Sequence, residues 1–133
     1  MGTTRTRPRP RLTLDAGALI GLERRDQRSV TLLEEHLATR GQVVIPAGAL
    51  AQAWRDGSQQ VTLARLVSSS DTEVVPLDST DAQSVGVLLS VSRTSDVTDA
   101  HVVLVARRTN SPVATSDPDD LRALDPKVSI IAL

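Results

Sequence analysis

Four aspartates stand where short apolar runs end or where helices begin. Asp15 follows Leu12-Thr13-Leu14, Asp96 and Asp99 precede an apolar helical stretch, and Asp117 lies just beyond Val113-Ala114-Thr115. Each has an ordinary structural use. Asp15 can cap the next helix, and Asp96-Val97-Thr98-Asp99 reads as a capping arrangement with an acid well placed at a helix N-terminus. Asp117-Pro118-Asp119-Asp120 is a cap followed by proline in the first turn. Brought together at one place, the same carboxylates would repel strongly at low effective dielectric unless a cation sat between them. Hard oxygen donors without a His or Cys cluster select Mg²⁺ or Mn²⁺. Such ions polarise a phosphoryl oxygen and activate water for in-line attack, which is nuclease or phosphatase chemistry.

Gln52 is the other candidate. It is the only polar side chain between Val43 and Trp54. A lone amide in so apolar a stretch either reaches solvent or finds hydrogen-bond partners, and an acidic pocket would supply them. Both readings stand at this stage.

The elements that must position these residues alternate along the chain. Short strands are predicted at 12–14, 43–45, 73–76, 113–115 and 128–132. Helices are predicted at 16–22, 26–40 with Gly41 as the stop, Pro46 to about 56, 59–67, 78–91, from Asp96 or Thr98 to 108, and 119–124. Alternation of this kind means α/β with a parallel sheet of about five short strands flanked by helices. Ligands of such sheets gather beyond the carboxyl ends of the strands, where Asp15 and Asp117 fall.

Composition narrows the chemistry. The 133 residues fit one domain, read as an Arg/Pro-rich arm over 1–10 and a domain over 11–133. No cysteine is present, so thiolate nucleophiles, disulfides and zinc–thiolate sites are excluded. Trp54 is the only aromatic residue, which removes base stacking on aromatic platforms. No apolar run is long enough to span a membrane, and no signal-peptide pattern follows the N-terminal arginines, so a cytoplasmic address is expected. The net charge of −1 conceals a basic arm, with Arg5, Arg7, Arg9 and Arg11 and no acid before residue 12. Alternate prolines hold that arm extended, as either a backbone-tracking RNA contact or a solubilising tail. His36 reads as a surface residue and His101 as packing. Ser68-Ser69-Ser70 lacks a nucleophile elbow, and Gly17 stands where an aspartyl phosphatase needs its second acid.

Four segments in order resemble the PIN-domain ribonucleases, in particular the VapC-type toxins of toxin–antitoxin pairs. They are Leu14-Asp15-Ala16-Gly17-Ala18-Leu19-Ile20, Val44-Ile45-Pro46-Ala47 continuing to Gln52, Thr98-Asp99-Ala100-His101-Val102-Val103, and Thr115-Ser116-Asp117. The resemblance implies a PIN-like three-layer fold and Mg²⁺- or Mn²⁺-dependent endonucleolytic cleavage of single-stranded RNA that leaves a 3′-hydroxyl. It implies that Asp15, Asp99 and Asp117 hold metal, that Asp96 is a further acid, and that Thr115 and Gln52 support the cluster. The family's second acid, usually Glu, aligns with the neutral Gln52, which leaves one formal charge fewer for a cation. Arg5, Arg7, Arg9, Arg11 and Arg55 are the expected RNA contacts. An antitoxin protein and a second copy of the chain, in a homodimer, are the expected partners. The alternative is a catalytically silent PIN-like module that binds RNA or a partner protein.

Overall fold

The computed structural model describes residues 8–133. Its strands are β1 (Arg11–Leu14), β2 (Gln42–Pro46), β3 (Thr72–Val75), β4 (Val113–Thr115) and β5 (Ile130–Ala132). Its helices are α1 (Ala16–Glu23), α2 (Gln27–Ala38), α3 (Ala47–Ala53), α4 (Val61–Ser68), α5 (Ser79–Ser92), α6 (Val97–Thr109) and α7 (Pro118–Leu124). The strands form one parallel sheet in the order β3-β2-β1-β4-β5. This is the expected PIN-like α/β architecture, short parallel strands flanked by helices. Among the described residues no helix is long and apolar enough to cross a membrane.

The central strands are buried because they have helices over them. Leu12, Leu14, Val43, Ile45, Val113 and Ala114 form a near-continuous apolar floor, as parallel strands require. Leu19 and Leu22 of α1, Leu63 of α4, Val102 and Val103 of α6 and Leu121 of α7 close the core. Some polar groups inside pair with one another, whereas the Thr72 hydroxyl and His101 Nδ1 have no hydrogen-bond partner among the described residues. The Thr13 hydroxyl meets that of Ser111 at 2.6 Å, and Ser111 in turn meets Thr109 at 2.9 Å.

Local chemistry sets the helix ends. Asp15, Asp26, Asp78 and Asp96 each accept a hydrogen bond from a backbone N–H three residues on. Pro118 takes the first position of α7, where its missing N–H costs nothing. Three expectations shift. The stop of α2 falls before Gly41: the helix ends at Ala38, and Arg40 takes the left-handed conformation, with φ 62°. Gly41 is needed for close approach instead, since a Cβ there would meet the His36 ring. His36 is half-buried rather than a free surface residue, and its Nε2 donates to the Gln42 carbonyl at 2.7 Å. Helix α3 ends at Ala53, not near 56. The Gln60 side chain turns the chain by accepting from the Arg55 and Asp56 amides and donating to the Ala53 carbonyl.

Candidate functional site

A parallel sheet puts all its strand C-termini at one edge. Asp15 leaves β1 directly, and its Oδ1 accepts the Ala18 N–H at 2.8 Å, so it caps α1 as well as facing the edge. Thr115 ends β4, and its hydroxyl accepts the Asp117 N–H at 2.9 Å, which fixes the turn that carries Asp117. Asp99 arrives from the first turn of α6. Gly48 of α3 faces Thr98, one residue earlier. Sequence positions far apart thus meet at the carboxyl edge of the sheet.

The electrostatics record the meeting. Burial, followed by Asp96, Asp15, Asp120 and Asp117 in decreasing order, pushes the half-buried Asp99 up to about 6. Burial also raises Asp15. The Thr115 hydroxyl and the Ala18 amide oppose that rise, and Asp117 adds to it. Asp120 was not among the sequence candidates. The signal for it was the pair of acids Asp119-Asp120 in the first turn of α7, which reads first as helix chemistry.

Some of these carboxylates are already engaged. Asp96 is exposed, and its Oδ1 is turned back to the Asp99 N–H at 2.8 Å, the ordinary capping use. Asp117 is exposed, and one oxygen of Asp15 is committed to its own helix. Among the described residues, no three His, Cys, Asp or Glu side chains stand together as ligands for a metal ion. Gln52 lies one helical turn beyond Gly48, on the same face of α3. It is exposed, and no hydrogen bond ties it to an acid.

The expected RNA-binding arginines divide differently. Arg5 and Arg7 lie outside the described residues. Arg11 opens β1 and therefore sits at the amino edge of the sheet. Arg9 is anchored at that edge too, by Nε to the Arg40 carbonyl at 2.6 Å and by an ion pair to Asp71 at 2.7 Å. A four-residue strand at about 3.3 Å per residue puts the two edges roughly 13 Å apart. The root of the arm is therefore on the far side of the sheet from the acids. Arg55 is exposed, and its guanidinium caps α3 by donating to the Ala51 and Trp54 carbonyls.

The fold and this acidic edge define a PIN-like three-layer α/β domain. Its fold is similar to a chain in the structure of FitAB bound to an IR36 DNA fragment, with a TM-score of 0.65 at 19% identity, covering 91% of this chain and 94% of that one. It is also similar to a chain in the crystal structure of FitAcB from Neisseria gonorrhoeae, with a TM-score of 0.59 at 19% identity, covering 90% and 96%. At that identity the likeness is one of fold. No family profile matches the chain, and no curated protein matches it.

Proposed function

We propose that this chain is a PIN-like module that binds its partners without efficient cleavage. The observation that carries the reading is the lack of three assembled metal ligands among the described residues, although the acids lie near enough to raise Asp99. The neutral Gln52, where the resembling family carries an acid, supports the same reading. The likeness in fold to a chain of FitAB, an assembly bound there to a DNA fragment, and the resemblance to VapC-type toxins favour a chain that works within an assembly.

One surface supports a protein partner. Gln83, Val87 and Val91 follow one another at four-residue spacing on α5, with Val87 65% and Val91 78% exposed. The only charged residue of α5 is Asp81, and it is buried. Interface centres are depleted of charge in this way. The occupant we assign is a second copy of this chain. Val87→Asp with Val91→Asp should turn a dimer into a monomer in sedimentation and remove the dependence of the melting temperature on protein concentration.

A metal-dependent ribonuclease is the second reading, favoured by the coupling of Asp99 to Asp15 and Asp117. Incubation of labelled single-stranded RNA with the purified chain in Mg²⁺, Mn²⁺ or chelator separates the two. Intact RNA in all three supports the binding module. Metal-dependent cleavage that disappears in Asp99→Asn overturns it in favour of the nuclease.

A further inference from the structure

Beside the acids a groove of about 830 Å³ runs between α1, the first turn of α2 and the turn after β4. One wall is a single stripe of α1: Gly17, Ile20, Gly21 and Arg24 fall at helical spacing. The opposite wall carries Arg28, with Ser116 and Asp117 at one end. Two glycines inside an eight-residue helix are costly by propensity. Here they let the chain close in, because a Cβ on Gly17 would collide with the Ser116 hydroxyl and one on Gly21 with that of Ser29. The floor is therefore backbone and hydroxyl, beside the apolar side chains of Ile20 and Leu133.

Arg24 and Arg28 are exposed, and among the described residues neither enters an ion pair. The nearer acid, Asp26, is engaged by the Ser29 amide and hydroxyl, whereas Asp117 remains open at the mouth. Guanidinium forks above a small-residue floor with a free hydroxyl match the oxygens of a phosphodiester. We infer that this groove holds the backbone of a single-stranded nucleic acid, with Arg24 and Arg28 each contacting a phosphate. The inference rests on the binding-module reading above. It moves the nucleic-acid contact from the arginine arm to the acid side of the sheet. With Trp54 the only aromatic residue, recognition there runs through phosphates and tolerates any base sequence.

The test is fluorescence anisotropy with a labelled twelve-nucleotide oligouridylate and its oligothymidylate counterpart, in chelator, across a salt series. Wild type should bind both. Arg24→Gln with Arg28→Gln should weaken binding roughly tenfold and flatten the salt slope by about 1.4, since a single strand contributes about 0.7 per phosphate. Arg65→Gln with Arg93→Gln removes the same charge elsewhere and should change affinity less than twofold. Equal losses in the two double variants would overturn the groove, because net charge alone would explain binding. An unchanged affinity and slope in the groove variant, while wild type binds, would overturn the inference and leave the module reading intact. No binding by wild type would overturn it too, leaving the module its protein partner. If the groove variant loses affinity for oligoglutamate but not for oligouridylate, the ligand is an acidic peptide and the inference fails.

Discussion

Asp15, beyond the first strand, and Asp81, in the first turn of α5, are each 5% exposed. Around Asp81 the protein has assembled cations. Arg108 donates to its Oδ2 at 2.7 Å, and the His101 Nε2, itself 1% exposed, donates to the same oxygen at 3.1 Å. The Arg108 hydrogen bond outweighs burial, and with His101 it holds Asp81 below the usual carboxylate range. Around Asp15 burial outweighs the Thr115 hydroxyl and the Ala18 and Gly17 amides, and with Asp117 beside it the carboxyl is raised. Equal burial therefore has opposite consequences. The α5–α6 pair uses a buried carboxylate to bind two helices together, while the sheet edge keeps its carboxylates uncompensated. A folded chain tolerates such an edge when something outside the fold supplies the missing charge.

The largest test removes the compensated acid. Asp81→Ala leaves Arg108 without its partner and His101 without its only one, since Nδ1 is already buried with no hydrogen-bond partner among the described residues. The expected loss is about 2 kcal/mol in urea denaturation at pH 7, below the roughly 3–5 kcal/mol that breaking a fully buried pair costs, because Arg108 is half exposed. Asp81 is held down in the folded state, so its contribution is present above about pH 4 and lost as pH falls below it. The gap between variant and wild type should close there. A loss under about 0.5 kcal/mol at pH 7 would erase the contrast between the two regions.

Asp99→Asn tests the other side and has the opposite sign. Because Asp99 is raised to about 6 in the folded state, its penalty is absent at low pH and builds as pH rises from about 4 through 6. The variant should be more stable than wild type by about 1 kcal/mol at pH 7, after allowance for solvent screening of a half-buried group. That gain should vanish near pH 4. Equal stability at both pH values would mean that the acids do not crowd one another.

Gln52→Glu carries the smallest effect and sharpens where the acid edge stops. An exposed side chain with no acidic partner should change stability by less than about 0.5 kcal/mol. Melting curves of variant and wild type should then stay parallel through a Mn²⁺ titration. Divergence would place Gln52 among the acids and favour the nuclease.

Much of this arrangement can be read from the chain, and the rest has a physical reason for escaping. Val113–Thr115 and the proline at the start of α7 are local signals, and each appears where expected. The placing of Asp15 and Asp117 follows from strand ends, because a parallel sheet gathers its carboxyl termini, whereas Asp99 comes from the first turn of α6. The α5–α6 bridge was missed because Asp81 meets His101 and Arg108 only once the two helices pack. In hindsight, His101 and Arg108 lie two turns apart on one face of α6. The basic arm is a similar case. Its charge is plain in the sequence, but which sheet edge holds its root depends on the direction of β1.

The strand order β3-β2-β1-β4-β5 also dictates when the acids first meet. Thr13 pairs with Val44 on one side and with Val113 on the other, so β1 joins an early-made wing to a late-made one. As the chain leaves the ribosome at about 5–20 residues per second, β1, β2 and β3 can pair several seconds before β4 emerges. Throughout that interval Asp15 has neither Asp99 nor Asp117 beside it, and one edge of β1 lies open. Repulsion among the carboxylates enters only when the second wing docks, so that closing step bears the whole electrostatic cost of the edge. Mild acid should therefore hasten the docking of β4 while leaving the pairing of the first three strands at its own pace.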